Sequence, residues 1–568
     1  MNSLLKPMKN KIQWVLLIFI FLIIQVYCDL TLPQYTADIV DIGIQNTNFQ
    51  FIINTGIVML VMVAISALAT VGVSFFSSRV SSSYAKDLRK TIYKKALKFS
   101  NHELNEISRS SLITRTTNDV NQLQNVISML FTTIIFAPLL GIGSIIKVFE
   151  LQTSLSWIVL VNFILVAVPL LIIMVKIVPY FKITQEIIDK MNKTAREILI
   201  GIPVIKAFVR QDFESKKFEK INRDFYDVNI YVFKTMMIMM PLMTMILNLM
   251  VVFILYFGAY DALSGGVLTG DIIAFIQYAT QIVTSFLMIG AFAILLPRFF
   301  VSARRINEVL NTEITISDGE LKEISENPTI EFKNVSYKYP GSEKDTLKDI
   351  NFSLKPGKTT AIIGGTGSGK STILNLIPRL QDPSSGEILI DGKDIKNFNL
   401  KSLRERISFT PQKAILFKGD IKSNMQIGKS NASDGEIEKA LELAQVDFIN
   451  DLSEEVSQGG SNFSGGQKQR LSIARAIVGK HEFYLFDDCF SALDMNTEKK
   501  IKDNLKNLKD SSILIVSQRI STIMDADEIL VIENGEIIDR GTHENLLEHC
   551  DVYREIANIQ INNMEVLS

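Results

Sequence analysis

With 568 residues, 47% of them hydrophobic, the chain is long enough for several domains. A mean hydropathy of +0.23 is high for a protein that stays in water and predicts a membrane part. The formal net charge of -1 excludes a bulk electrostatic case for nucleic acid, and Cys28, Cys489 and Cys550 lie too far apart for metal-type spacing, with no pairing expected on a reduced cytosolic face.

Lys6, Lys9 and Lys11 precede an apolar run, but no small-residue cleavage site follows Tyr27, so the run predicts a retained first membrane helix. From Ile12 the apolar pattern passes Asp29 and Pro33 to about Ile44, roughly 50 Å of helix. Further spans are expected at Phe51 to Val80, Val126 to Ile146, Leu155 to Val178, Val232 to Phe257 and Ile272 to Phe299, six in all. Lys and Arg stand before the first span and are dense after the second and fourth, but are absent from Asp29 to Gln50 and from Gly258 to Asp271. Both ends of the membrane part are therefore expected in the cytoplasm. Two cytoplasmic excursions, Arg79 to Leu123 and Lys182 to Lys234, read as helix, short break, helix, with turns near Asn101 to Glu106 and Val209 to Phe213. Asp29 reads two ways, as a contact for cationic cargo or as an outer-interface residue reaching water. The methionines at 236, 237, 239, 240, 243, 245 and 250 around Pro241 suit helix packing or lipid contact, and also a cavity for varied apolar cargo.

Asn311 to Pro328 is acidic and poorly periodic, a linker between an expected membrane domain (1–310) and a second domain (329–568). From Thr329 the pattern turns to strands. The stretch Gly364, Gly365, Thr366, Gly367, Ser368, Gly369, Lys370, Ser371, Thr372 has the spacing of a phosphate-cradling loop, after an apolar strand (Thr359 to Ile363) and before a helix (Ile373 to Ile377). Glycines let backbone N–H groups approach phosphate oxygens, Lys370 would reach the β and γ phosphates, and Ser371 would ligate Mg²⁺. The aromatics Tyr337 and Tyr339 lie just ahead of the loop, where a ring can stack on adenine. Ile407 to Pro411 is a short strand ending at Gln412. A second glycine turn, Ser464, Gly465, Gly466 and Gln467, opens an amphipathic helix, and the apolar strand Phe483 to Phe486 ends at Asp487 and Asp488, where a Mg²⁺ shell needs a carboxylate.

The phosphate loop, the Ser464 to Gln467 signature, the Asp487 strand, Ser491 to Asp494 and six preceding spans together resemble an ABC exporter half-transporter over essentially the whole chain. The resemblance implies a six-helix all-α membrane domain fused to an α/β ATPase domain with a helical subdomain, using ATP and Mg²⁺. It implies that two half-transporters pair head to tail, and that both excursions end in coupling helices seated on ATPase domains. Carried over onto matching positions, Tyr339 stacks on adenine and Ser371, Gln412 and Asp487 serve the metal. Ser464, Gly465, Gly466 and Gln467 clamp the ATP held by the partner.

Two positions depart from the family pattern. Where the family has a water-orienting Glu this chain has Asp488, shorter by one methylene, and a misplacement of about 1 Å can cost on the order of 10²-fold in rate. Where the family has a switch His it has Gln518, which keeps an N–H donor but cannot become cationic; none of the four histidines (His102, His481, His543, His549) replaces it in sequence. With Asp487-Asp488-Cys489, Asp29 to Pro33 and Gln518 to Ile520, the chain resembles the degenerate-site subunit of bacterial heterodimeric multidrug-type exporters. That subgroup implies a partner bearing the intact Glu and His, an amphipathic or hydrophobic cargo, contact with membrane lipid but not with nucleic acid, and a plasma (inner) membrane location. Homodimeric export with slow hydrolysis, or an ATP-gated sensor or channel, are the alternatives. Asp447 to Gly460 is shorter than the family's usual segment, with Gln458 where many exporters have Glu, and the first span starts too early for a preceding peptidase-like domain. The richness in Ile, Lys and Asn fits a bacterial membrane.

Overall fold

The computed structural model describes residues 8, 11–151, 156–263, 266–293 and 295–565. Lys6, Lys9 and the expected start of the fourth span at Leu155 lie outside them. Two compact units emerge: residues 1–97 with 109–312, and residues 98–108 with 313–568.

The membrane unit holds α1 (Ile12–Asp38), α2 (Phe49–Ala96), α4 (Arg109–Glu150), α5 (Ser156–Ala207), α6 (Gln211–Leu263), α7 (Thr269–Ala293) and α8 (Leu296–Asn311); α3 (Asn101–Ile107) belongs to the second unit. Six of these helices are long and apolar enough to cross a membrane. On α2 the buried positions Ser66, Ala69, Val73, Ser77, Val80, Tyr84, Leu88 and Ile92 recur every three or four residues. Such a stripe, small in its outer half, lets a neighbouring backbone approach closely. Large apolar side chains off the stripes, such as Leu60, Leu68 and Leu171, stand exposed. The sixth span is interrupted before Phe299: beyond α7, Leu295 lies in a turn and α8 starts at Leu296, with Pro297 in its first turn, where a missing N–H costs nothing. Ser302 on α8 donates to Asp119 at 2.8 Å and Arg115 pairs with Glu308 at 3.0 Å, holding α8 against α4.

Pro33 sits inside α1 and has no N–H for the carbonyl of Asp29, four residues back. Gln281 on α7 supplies the donor, its Nε2 reaching that carbonyl at 2.9 Å, and Tyr278 donates to the next carbonyl, Leu30, at 2.8 Å. Gln281 Oε1 in turn accepts from Ser144 on α4 at 2.8 Å. The Asp29 carboxylate accepts from Ser66 on α2 at 2.7 Å. Of the methionines on α6, Met243 and Met250 are buried whereas Met237 and Met245 are exposed.

In the second unit, β1 (Ile330–Tyr337) lies between β2 (Leu347–Leu354) and β4 (Ser385–Ile390) in an antiparallel sheet. The larger sheet has the order β9-β8-β3-β7-β6-β5, from β9 (Glu536–Gly541), β8 (Glu528–Glu533), β3 (Thr359–Gly364), β7 (Ser512–Val516), β6 (Phe483–Asp487) and β5 (Ile407–Thr410). All its pairings are parallel except β8 with β9. Strands β3, β6 and β7 are buried almost throughout, as continuous apolar runs in a covered parallel sheet must be. The C-terminal ends of β3 and β6 meet at one edge, where ligands bind in such sheets.

Residues 313–328 carry no named helix or strand and belong to the second unit, to which they are stitched. Gly319 and Leu321 donate to the carbonyls of Phe398 and Asn397 at 3.2 and 2.9 Å, and Asp318 accepts from Leu400 N–H at 2.7 Å.

Candidate nucleotide site

The loop after β3 closes onto α9 (Lys370–Leu376) through Gly369, whose φ of 97° lies where L side chains are strained. A side chain there would also drive into Leu347 and the Thr346 carbonyl, the latter at 2.9 Å. Lys370 is buried, and its Nζ donates to the carbonyls of Gly364 and Gly365 at 2.8 and 2.6 Å. Burial lowers the pKa of this ammonium, an effect that Asp488 and Asp487 partly oppose. Its donors are parked on loop carbonyls and can be handed to phosphate oxygens without the charge leaving the loop.

Ser371 Oγ donates to Asp487 Oδ1 at 3.0 Å, joining the helix after β3 to the end of β6. Burial raises the Asp487 pKa and the neighbouring Asp488 charge adds to the effect, while the Ser371 bond works against it. A hydroxyl and a carboxylate are the hard oxygen ligands Mg²⁺ accepts, with phosphate and water completing its shell. Gln412, just past β5, donates Nε2 to Asp488 Oδ2 at 3.2 Å. Tyr339 sets its hydroxyl 3.2 Å from Thr372 Oγ1. These groups wall one cavity of about 320 Å³, lined by Tyr339, Thr346, Thr366, Gly367, Gly369 to Thr372, Gln412, Asp487, Asp488, Val516 and Gln518. No histidine is among the described residues lining it.

Ser464 to Gln467 do not line that cavity. They form the start of α11 (Gly465–Ile477); the helical subdomain also contains α10 (Asp434–Leu443). Ser464 is its exposed N-cap in a reciprocal box: Ser464 N–H donates to Gln467 Oε1 at 2.8 Å and Gln467 N–H to Ser464 Oγ at 3.3 Å. Gly466 is required by close packing, since a Cβ there would lie 2.9 Å from the Ala492 carbonyl. Ala492 N–H also donates to Gln469 Oε1 at 3.1 Å, fixing this turn against the Ser491 to Asp494 segment.

Residues 15–286 match the description of an ABC transporter transmembrane region, and residues 347–491 that of an ABC transporter. An uncharacterized ABC transporter ATP-binding protein of Mycobacterium tuberculosis is 35% identical over 548 residues, covering 95% of this chain and 94% of its own. The uncharacterized ABC transporter ATP-binding protein YfiB of Bacillus subtilis is 37% identical over 556 residues, covering 95% of each. The chain belongs to the ABC transporter family. An ATP-dependent lipid A-core flippase of Photobacterium profundum is 29% identical, with 86% of this chain and 84% of the flippase covered. Among solved structures, a bacterial Atm1-family ABC exporter with ATP bound superposes with a TM-score of 0.81 over 96% of this chain and 99% of its own, at 23% identity, which speaks to the fold alone.

The chain is thus an ABC exporter in fold, a nucleotide-binding transport ATPase and a multi-pass membrane protein with a cytoplasmic ATPase domain. Its first cytoplasmic excursion ends in α3 (Asn101–Ile107), which packs within the ATPase unit. Asn101 N–H donates to the Leu380 carbonyl at 3.2 Å. Glu103, 1% exposed, accepts from Ser100 N–H at 2.5 Å and from the Thr315 hydroxyl at 2.6 Å. The capping box Ser100 to Glu103 is the local sequence signal for α3, at the turn read from periodicity and where the resemblance implies a coupling helix. The second excursion breaks as expected, at residues 208–210 between α5 and α6, with Phe208, Val209 and Phe213 exposed.

Thr346 and Val516 line the cavity without any motif to announce them. The bond from Arg519 Nη2 to the Ser491 carbonyl at 2.6 Å is likewise long-range and invisible in sequence, and a local bond from Ser491 Oγ to the Asp488 carbonyl at 2.9 Å continues it.

Proposed function

We propose that this chain is the degenerate-site half of a heterodimeric ABC exporter that moves amphipathic or hydrophobic compounds outward across a bacterial plasma membrane. It holds ATP with Mg²⁺ in the cavity around Lys370 and splits it slowly. Its Ser464 turn completes the active site of a different, Glu- and His-bearing chain. The observation that carries the reading is the company kept by Gln412: it donates directly to Asp488, and Gln518 lines the same cavity.

In this reading Tyr339 stacks on adenine, the loop from Gly364 to Thr372 cradles the phosphates, and Ser371, Asp487 and Gln412 would hold Mg²⁺, which would supply positive charge beside the γ-phosphate. Asp488 would orient the water, with a carboxylate one methylene shorter than a glutamate's. Gln518 offers a neutral donor where a cation would stabilise the transition state better. The exposed N-cap at Ser464 presents a hydroxyl and a helix N-terminus toward a second chain's phosphates. ATP binding closes the paired ATPase domains, the coupling helices pass this to the spans, and hydrolysis in the partner's pocket resets them.

Native purification from the membrane, followed by vanadate trapping with 8-azido-ATP, tests the reading. A second, different half-transporter should co-purify and take most of the trapped label. Recovery of the chain alone, trapping label rapidly as a homodimer, would overturn it.

A further inference from the structure

The segment carrying Gln518 is fixed by a residue 42 positions away. Ser517 N–H still bonds the Ile362 carbonyl at 3.2 Å, but β7 has ended at Val516, and the following helix, Ile520–Ile523, starts with no side-chain cap from Arg519. Into this gap α12 (Asp551–Glu565) sends the side chain of Gln560. Its Nε2 donates to the Gln518 carbonyl at 2.7 Å and its Oε1 accepts from Ile520 N–H at 2.8 Å. One planar amide thereby replaces two rungs of a ladder and fixes the peptide groups on either side of Arg519. Arg519, so held, reaches the Ser491 carbonyl, and Ser491 reaches the Asp488 carbonyl. The clamp is itself anchored: Tyr553 and Ala557 on α12 are fully buried, and Tyr553 OH lies 2.7 Å from His543 Nδ1.

We propose that Gln560 is a positioning residue for the γ-phosphate switch, aiming Gln518 by holding its backbone from the C-terminal helix. The proposal rests on the reading above that Gln518 meets the γ-phosphate. A pre-aimed donor costs no ordering when the phosphate arrives, whereas a free loop must be ordered at the expense of ATP affinity. ADP has no γ-phosphate and gains nothing from the clamp.

The test uses the full chain with its co-purifying partner, photolabelled with 8-azido-ATP and competed with ATP or ADP. The label on this chain alone, separated by gel, gives the preference of its own pocket for ATP over ADP. Gln560→Met keeps the side-chain length and removes both bonds; Gln560→Asn keeps the amide and withdraws it, and serves if the first variant does not assemble. Each should lower the ATP preference about tenfold with ADP competition unchanged, the loss expected from hydrogen bonds of ordinary strength. Gln518→Ala should do the same, and the double variant should be no worse than either single one. Gln560→Glu, which puts an oxygen against the Gln518 carbonyl, should not rescue. Equal loss of ATP and ADP, or an unchanged ratio in the Gln560 variants while Gln518→Ala lowers it, would overturn the proposal. An unchanged ratio in Gln518→Ala would remove the reading beneath it as well.

Discussion

Gln412 donates its side-chain amide to the Asp488 carboxylate across 3.2 Å, and Asp488 holds that position from a backbone φ of 44°. The backbone is thus turned into the left-handed region to bring a carboxylate to the cavity, yet the side chain is the shorter acid. Asp tolerates that region better than most residues, and on the proposed reading the backbone geometry of the site is kept while the reach of a longer acid is missing. Asp488→Glu combined with Gln518→His should restore reach and a cationic donor together. Vanadate-trapped 8-azido-nucleotide on this chain should rise by about 10²-fold, with about 1 kcal/mol of stability given up at the strained backbone. Trapping on this chain no higher than in the natural sequence would end the geometric account of its slow pocket.

Ser464 serves two purposes that substitution can separate. As N-cap it satisfies the Gln467 N–H, and Ser464→Ala should cost the helix about 1 kcal/mol. Ser464→Asp keeps the cap but sets a negative charge against a phosphate bound by the partner. If the turn acts on the partner's nucleotide, the aspartate variant should assemble normally and lose more than nine-tenths of the complex's ATPase, in proportion to about 1.4 kcal/mol per tenfold. Azido-ATP labelling of this chain's own pocket should stay the same. Retained ATPase in the aspartate variant would place the signature outside the partner's reaction.

What the sequence made legible follows the range of the forces involved. The phosphate loop, its flanking strand and helix, and the carboxylates ending β6 are local patterns, and the cavity brings Tyr339, Lys370, Ser371, Gln412, Asp487, Asp488 and Gln518 together as named. Six apolar stretches were readable because burial in lipid needs continuous hydropathy. The turn at Leu295 was hidden by apolar residues running on to Phe299, and only Pro297 hinted at it. The acidic segment after Asn311 looked unstructured because its partners, Glu103, Asn397, Phe398 and Leu400, are distant in sequence. Gln560 illustrates the same limit: a lone glutamine on an amphipathic helix has no local signature for a backbone 42 residues earlier.

The α1 kink offers a membrane test. Gln281→Leu should strand the Asp29 carbonyl in an apolar setting and lower the midpoint of thermal unfolding in detergent, by a loss of about 1 kcal/mol. Pro33→Ala gives that carbonyl an intrahelical N–H again. Adding Pro33→Ala to Gln281→Leu should therefore recover most of the loss. If the two losses simply add, Gln281 is not compensating for the proline.

Glu103 links α3 to the segment after the membrane unit, and its titration gives a pH signature. Burial pushes its pKa up, but hydrogen bonds from Ser100 and Thr315 overcome this and hold it at about 2, against an ordinary 4.5. A pKa depressed by folding contributes stability that is fully present above the ordinary value and is lost as pH falls through the folded one. At neutral pH the carboxylate should thus stabilise the docking of Asn101–Ile107, by about 2 to 3 kcal/mol at most, with the loss confined between about pH 4.5 and 2. Three donors face the carboxylate, the Ser100 N–H, the Thr315 hydroxyl and the Thr315 N–H at 3.0 Å; Glu103→Gln removes the charge and faces one of them with its own N–H₂, so it should release α3 already at pH 7. Hydrogen exchange of the Asn101–Ile107 amides in the full chain reads this directly: protection should fall in the variant at pH 7. In the natural sequence it should fall only below pH 4.5, after correction for the intrinsic exchange rate. Protection unchanged by Glu103→Gln would mean that α3 is held by the Leu380 carbonyl and apolar packing, with the carboxylate a passenger.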